Sequence, residues 1–126
     1  MDETEKRNRP KPGQTRVVDV ANMPWEEIHP GINMKVLWRD PETGASTVLF
    51  KFAPGTRAPL HEHMGVEQTF VLEGSFEDHD SKITAGNFAV REAGSVHAGF
   101  TNEGSLHIAF FSKPNRIIED DSLIRF

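Results

Sequence analysis

The sequence lacks two residue types that carry specific chemistry in many proteins. Its 126 residues include no cysteine and no tyrosine. The absence of cysteine excludes disulfides, thiolate metal sites and cysteine nucleophiles. The absence of tyrosine leaves histidine, aspartate, glutamate, lysine, serine and threonine for any proton chemistry.

The sequence also lacks long apolar runs and an excess of positive charge. No apolar stretch approaches the length of a membrane span, and the N-terminus has no apolar core of the kind found in signal peptides. The formal net charge of -5 argues against nucleic acid or an anionic membrane as the main partner. We therefore expect a cytoplasmic protein whose partner is a small molecule, with no nucleic acid and no membrane.

The length is sufficient for a single domain with its own core. Residues 1–15 are charged and interrupted by proline and glycine, which predicts a flexible N-terminal tail. Residues 16–126 are predicted to form one domain. Its last segment, RIIEDDSLIRF, carries enough apolar residues that we expect it to pack on the domain or on a partner subunit.

Short apolar runs that alternate with turn-forming residues predict an all-β domain. The runs read RVVDV, INMKVLWR, STVLFKFA, QTFVLEG, NFAVRE and LHIAFFS. Pairs such as Pro30-Gly31 and Pro54-Gly55 stand between them as turn signals. Many short strands at nearly even spacing favour a β-sandwich or a β-barrel.

A cluster of imidazoles and carboxylates interrupts this pattern. His61 and His63 are two residues apart, so on an extended strand their side chains lie on the same face. Glu67 opens the next apolar run after a Met-Gly turn, and His97 follows the turn segment EAGSV. Three nitrogen donors and one oxygen donor form a set that suits Fe(II), Mn, Ni, Co or Zn, whereas calcium would require more oxygens.

Each part of this cluster alone is more typical of structure than of function. An isolated His-x-His pair on a strand is usually a solvated face, and a glutamate at the start of a strand is usually exposed. The combined pattern is more specific, because the surrounding glycines and strand runs also fit a known arrangement.

That arrangement resembles the cupin superfamily. The first cupin motif reads G-x5-H-x-H-x3-E-x6-G, and all five of its fixed positions are filled here, by Gly55, His61, His63, Glu67 and Gly74. The second motif reads G-x5-P-x-G-x2-H-x3-N, and Gly86, Gly94 and His97 match it. Glu92 stands where the motif has proline and Thr101 where it has asparagine; neither position supplies a metal ligand in the family.

The resemblance implies an antiparallel jelly-roll β-barrel that holds one divalent transition metal per chain. By position, His61, His63, Glu67 and His97 correspond to the family's ligands. Fe(II) is favoured, with Zn, Ni, Mn and Co as alternatives.

A narrower similarity extends to the cupin domain of the zinc-binding anti-sigma factors and to cupins that cleave diketones and aryl hydroxyketones with dioxygen. The anti-sigma factors bind the sigma factor through a separate zinc-binding domain. This sequence has no cysteine and is too short to include such a domain, so we do not expect sigma-factor binding. In the dioxygenases three histidines hold Fe(II). The similarity therefore leaves open whether Glu67 binds the metal.

Strand alternation and the distance to His97 suggest which side chains surround the ion. Candidates for a second layer or for the pocket are Thr69, Arg91 and Phe100, and candidates for substrate binding are Phe50 and Phe52. A guanidinium at Arg91 would bind an anionic enolate or carboxylate through two hydrogen bonds. The remaining histidines are expected to be structural: His29 and His79 exposed in turns, and His107 a satisfied core or surface residue.

We interpret the sequence as that of a non-heme Fe(II) dioxygenase acting on a small chelating ketone or enolate. Two alternatives remain: a Zn-, Mn- or Ni-dependent isomerase or lyase, and a binding module that holds a metal and a small ligand without turnover. Sheet edges and apolar segments need cover, so we also predict a homodimer, with the N-terminal segment near Val17–Val20 or the C-terminal segment exchanged between subunits.

Overall fold

Alternating apolar and polar residues fold the chain into antiparallel strands. The structure, a computed structural model, describes residues 10–118. Within this range there are one 3-10 turn, Val20–Asn22, and twelve strands. The strands are β1 (Glu26–His29), β2 (Ile32–Arg39), β3 (Ser46–Phe52), β4 (Thr56–Arg57), β5 (His61–Glu62), β6 (Glu67–Glu77), β7 (Lys82–Thr84), β8 (Phe88–Arg91), β9 (Val96–His97), β10 (Phe100–Thr101), β11 (Ser105–Phe111) and β12 (Arg116–Ile117).

The strands form two antiparallel sheets that together make the curled sheet of a jelly roll. The larger sheet has the order β1-β2-β3-β11-β6-β10-β4, and β7 and β8 also pair with β6. The smaller sheet has the order β12-β5-β9. The part of the chain that the structure describes contains no α-helix, in agreement with the predicted all-β class.

The core lies on the concave face of the three central strands. Strand β3 alternates strictly, with Val48, Phe50 and Phe52 buried, and the alternate residues of β11 are buried beside it. Strand β6 contributes Val71 and Phe76 to the same cluster. Burying such side chains contributes roughly 1.5–3 kcal/mol each, so this cluster is the main source of stability.

A β-bulge in β6 changes which side chains face the core. Leu106 of β11 is opposite Glu73, whereas the next residue, His107, is opposite Val71, so β6 contains one extra residue at this point. Before the bulge the odd-numbered residues of β6 face inward, and after it Phe76 does.

Five of the six predicted strand runs form strands, and INMKVLWR coincides with β2. The sixth, RVVDV, is not a strand. Residues 16–19 have no partner strand, Val17 is 87% exposed, and Val20 begins the 3-10 turn. The carbonyl of Val20 accepts a hydrogen bond from Lys35 Nζ at 2.7 Å, so a side chain rather than a strand ladder holds this segment.

The predicted C-terminal packing segment lies largely outside the described residues, which end at Ile118. Its described part includes β12, in which Ile117 is 3% exposed and pairs with His61 of β5. The predicted N-terminal tail likewise falls mostly on residues that are not described. Among residues 10–118, no helix has the length and apolar character needed to cross a membrane.

We predict that Gly74→Ala destabilises the fold far more than Gly86→Ala does. Both glycines have a positive φ, +71° and +85°. A Cβ at Gly74 would overlap the carbonyl oxygen of Gly104, while a Cβ at Gly86 would meet nothing within 4 Å. Gly86→Ala should therefore lose about 1 kcal/mol from backbone strain alone, and Gly74→Ala about 3 kcal/mol. Urea unfolding of both variants measures this difference, and equal losses would show that the close approach at Gly74 is unimportant.

Candidate metal centre

Backbone pairing brings three histidines from separate segments together. Strand β5 pairs with β9 so that His61 lies directly opposite His97. His63 follows β5, and its N–H donates to the carbonyl of Ser95 at 2.8 Å, which extends the pairing of the two segments beyond the strands. The imidazole ring centroids are 4.6–4.9 Å apart, and all three rings are buried.

The spacing of the ring nitrogens fits a shared ion. One nitrogen from each of the three imidazoles lies within 4.8 Å of the others, and Nε2 of His63 is 2.9 Å from Nε2 of His97. A transition metal binds histidine nitrogen at about 2.0–2.1 Å, so neighbouring ligand atoms should lie about 3 Å apart. These residues could therefore hold one divalent metal ion.

Hydrogen bonds on the far side of two rings select the tautomer that a metal requires. Nδ1–H of His61 donates to the carbonyl of Pro59 at 2.8 Å, and Nδ1–H of His97 donates to Oδ2 of Asp78 at 2.9 Å. Each bond places the ring proton on Nδ1 and leaves Nε2 with its lone pair. A carboxylate behind a metal-binding histidine also orients the ring and raises its basicity.

The electrostatics of the cluster keep the imidazoles neutral. Burial lowers the pKa of His61. Burial, together with the positive charge that neighbouring histidines would carry, lowers the pKa of His63 to about 3. The pKa of His97 falls to about 4, again chiefly through burial and then through the charge of Arg91. At neutral pH all three rings are therefore unprotonated, as metal ligands must be.

Glu67 lies beside the cluster at the start of β6. Its Oε1 is 3.2 Å from Nε2 of His63, although it does not fall within 4.8 Å of all three histidine nitrogens. Oε2 accepts a hydrogen bond from Thr69 Oγ1 at 3.1 Å, which gives the fully buried Thr69 a supporting role behind the carboxylate. Burial raises the pKa of Glu67, and the charge of Arg91 opposes that rise.

Arg91 bridges Glu67 and Asp78, a carboxylate that the sequence analysis did not identify as part of the site. Its Nη1 donates to Oε1 of Glu67 at 3.4 Å, and its Nη2 donates to Oδ2 of Asp78 at 3.3 Å. Asp78 also accepts from Ser81 Oγ at 2.7 Å, and its hydrogen bonds hold its pKa below the usual range despite burial. The result is a continuous buried chain from Glu67 through Arg91 and Asp78 to His97.

The bulge in β6 explains why Asp78 was missed. From the sequence we expected His79 to be exposed in a turn, and uninterrupted alternation from Glu67 would point the preceding residue, Asp78, outward. The extra residue reverses the alternation, so the side chain of Asp78 is only 5% exposed. A glycine at position 74 within the strand was the one available signal, because isolated strand glycines often accompany bulges.

A cavity of about 330 Å³ opens in front of the histidines. His61, His97 and Glu67 form its polar end, and the exposed Glu26 and His29 lie at its rim. The remaining walls are mostly apolar and include Ile28, Ile32, Met34, Phe50, Phe52, Phe76 and Phe111. The volume is within the range of small-molecule sites.

The predicted pocket residues divide into two groups. Phe50 and Phe52 line the cavity, whereas Thr69 and Arg91 lie behind Glu67. The third candidate for this layer, Phe100, is half-buried on β10, where it pairs with Arg57 and Glu77, and it is not among the residues that line the cavity.

Two of the remaining histidines are exposed as expected, and the third, His107, is buried in the wall of the cavity. His29 and His79 are exposed. His107 is 2% exposed, and its Nδ1 is 2.8 Å from Ser105 Oγ, so it is a core histidine with a partner.

Comparison with known proteins identifies a family. The profile of the ChrR cupin-like domain matches residues 13–115. Over 81 residues, 64% of this chain, the sequence is 28% identical to the anti-sigma-E factor ChrR of Cereibacter sphaeroides, of which it spans only 37%.

Two solved structures share the fold. A candidate acetylacetone dioxygenase from Methylibium petroleiphilum superposes with a TM-score of 0.79 at 21% identity, covering 88% of this chain and 86% of that chain. An acetylacetone dioxygenase from Acinetobacter johnsonii superposes with a TM-score of 0.72 at 23% identity, covering 88% and 81%. At these identities the comparison establishes the jelly-roll fold.

We predict that Asp78→Ala weakens metal binding about 10- to 100-fold, because His97 loses the acceptor that orients it. Asp78→Asn, which keeps an acceptor oxygen but not the charge, should lie between this variant and the wild type. Zinc titration of metal-free protein against a chromophoric chelator measures the affinities. Glu103→Ala is the control, since Glu103 is an exposed carboxylate that belongs to neither group of described residues that could hold a metal ion. Unchanged affinity in Asp78→Ala would contradict a role for this carboxylate.

Proposed function

The chain belongs to the family of ChrR cupin-like domains, and we propose that this member is a mononuclear non-heme Fe(II) dioxygenase acting on a small chelating ketone or its enolate. The observation that carries the proposal is a set of three neutral, converging imidazoles at the end of an apolar cavity whose rim is exposed. The fold shared with an acetylacetone dioxygenase adds support.

In this proposal His61, His63 and His97 hold the ion, and Glu67 would join them through Oε1. Oε1 is 3.2 Å from Nε2 of His63, the separation expected of neighbouring ligands, but it does not lie within 4.8 Å of all three histidine nitrogens, so the carboxylate would have to turn toward the ion to bind it. When bound, Fe(II) would supply Lewis acidity toward a pair of chelating oxygens and the redox chemistry needed for dioxygen.

The protein itself would orient the ketone, exclude water from the reacting end and balance the charge around the ion. Phe50, Phe52 and Phe111 would pack against the apolar part of the ketone and exclude water from the reacting end. Arg91 offsets part of the cost of a negative charge on the buried Glu67. The cavity thus offers one polar end for chelating oxygens and an apolar chamber for the remainder of the substrate.

Fe(II)-loaded protein, reconstituted without oxygen, should consume dioxygen when given acetylacetone, benzoylacetone or an aryl hydroxyketone, with one ketone lost per dioxygen. The zinc-loaded protein should bind the ketone without oxygen uptake, because zinc has no accessible redox chemistry. An oxygen electrode and chromatography of the remaining ketone give both quantities. An iron-loaded protein that consumes no oxygen across this panel would refute the dioxygenase proposal.

Two observations favour other functions. Glu67 lines the cavity and its pKa is raised, which suits a general acid or base in an isomerase or lyase. Turnover by zinc- or manganese-loaded protein without oxygen would support that function.

The similarity to an anti-sigma factor favours a binding module without turnover. Its signature would be ligand binding by the metal-loaded protein without formation of any product.

We also propose that the protein is a homodimer. Four apolar side chains lie on paired strands at the outer surface of the larger sheet: Phe70 and Leu72 of β6, and Phe88 and Val90 of β8. A patch of this kind on a sheet face is typical of an interface, and two-fold dimers are the commonest symmetric assembly.

Phe88→Glu should convert this dimer to a monomer, because Phe88 is 56% exposed in the isolated chain and a charge there could not be buried against a second copy. Light scattering at micromolar concentration measures the mass. Val17→Glu is the control. It also replaces an exposed apolar side chain by glutamate, but in the N-terminal segment. A monomeric wild type would refute the proposal, and loss of the dimer in Val17→Glu alone would place the interface at the N-terminal segment instead.

A further inference from the structure

His107 is a polar side chain in the apolar part of the cavity. It lies on the inward face of β11 and lines the cavity. Its ring packs against three phenylalanines, with centroid distances of 5.4 Å to Phe50, 5.3 Å to Phe52 and 4.4 Å to Phe76. It does not belong to the group of histidines that could hold a metal ion.

One nitrogen of this ring is available to a ligand. Nδ1 is engaged by Ser105 Oγ at 2.8 Å. Among the described residues nothing hydrogen-bonds Nε2. Nε2 is also absent from the fully buried side-chain atoms that lack a hydrogen-bond partner, so it retains some accessible surface. Since the ring lines the cavity, Nε2 opens into it.

The position of His107 separates it from the metal end. Phe111 pairs with Glu67 across β11 and β6. His107 is four residues from Phe111 on the same face of β11, which separates their backbones by about 13 Å along the strand. The rings of His61, His97 and His107 line the same cavity, so a ligand that is bound to the ion by one end extends through the apolar chamber toward His107.

The chemistry of His107 limits what it can bind. Burial lowers its pKa to about 3, with a further contribution from the charge of Arg91, so the ring is neutral. Because Ser105 Oγ can either donate to Nδ1 or accept from it, Nε2 can either donate or accept. A neutral hydroxyl or carbonyl suits such a partner, whereas a carboxylate would lose its hydration without gaining an opposite charge.

We propose that Nε2 of His107 is the second polar anchor of the cavity and that the substrate is a chelating ketone with an apolar body and a neutral hydroxyl or carbonyl at its far end. The proposal rests on the proposed function for the end that chelates the metal. It assigns a specificity role to a histidine outside the metal cluster.

Paired probes test this assignment. Zinc-loaded protein is titrated with benzoylacetone and with its para-hydroxyphenyl analogue, and the two dissociation constants are compared by calorimetry. One net hydrogen bond in a buried site should make the wild type bind the hydroxylated probe about 3- to 10-fold more tightly. His107→Phe preserves the aromatic packing and removes both nitrogens, so it should bind the two probes equally while retaining affinity for benzoylacetone.

Two further variants guard against misfolding and shape effects. Ser105→Ala removes the partner of Nδ1 and should reduce the preference without abolishing it. Phe52→Leu alters the shape of the same wall without altering its polarity, so it should weaken both probes and leave their ratio unchanged. Zinc affinity and near-ultraviolet circular dichroism of each variant report whether the metal site and the packing are retained.

The outcomes separate this inference from the proposed function. An undiminished preference in His107→Phe, no preference in the wild type, or no binding of either probe to the zinc-loaded wild type would overturn the role of His107. Loss of the preference in a folded His107→Phe supports it, even if the iron-loaded protein consumes no oxygen with the same probes. Oxygen uptake without any preference would leave the dioxygenase proposal standing and refute this one.

Discussion

The arrangement of the site depends on burying three imidazoles together in neutral form. A buried polar group without a partner costs roughly 1–3 kcal/mol, so three converging rings would be a liability in an ordinary core. Here Pro59 and Asp78 accept the Nδ1 protons of His61 and His97, and burial disfavours protonation of the rings. The same features that make this cluster expensive for folding prepare it to bind a cation.

Sequence reasoning predicted the features that depend on local spacing. The two-residue separation of His61 and His63 predicted that these two rings share a face, and the resemblance to the cupin motifs added His97 to them. Phe50 and Phe52 were identified as cavity residues for the same reason. The prediction of the β3 face succeeded because this strand does not interrupt its alternation over the buried stretch.

Sequence reasoning failed wherever alternation is interrupted. The bulge in β6 turned Phe76 and Asp78 inward, so Asp78 was not recognised as the partner of His97. Bulges and breaks are set by contacts between distant segments, such as the close approach of Gly74 to Gly104, which a single sequence does not display. The residues behind the ligands are therefore harder to predict than the ligands themselves.

The buried charges give an independent reason to expect an anionic chelating ligand. Glu67 and Asp78 together carry two negative charges when ionised, and Arg91 lies between them with one positive charge. A divalent ion held by neutral imidazoles would leave the group with a single net positive charge. A chelating ketone bound as its monoanionic enolate would neutralise that charge, whereas a neutral ligand would leave it buried and a dianion would reverse it. Since an uncompensated buried charge is costly, the fixed charges of this chain favour a monoanion at the ion.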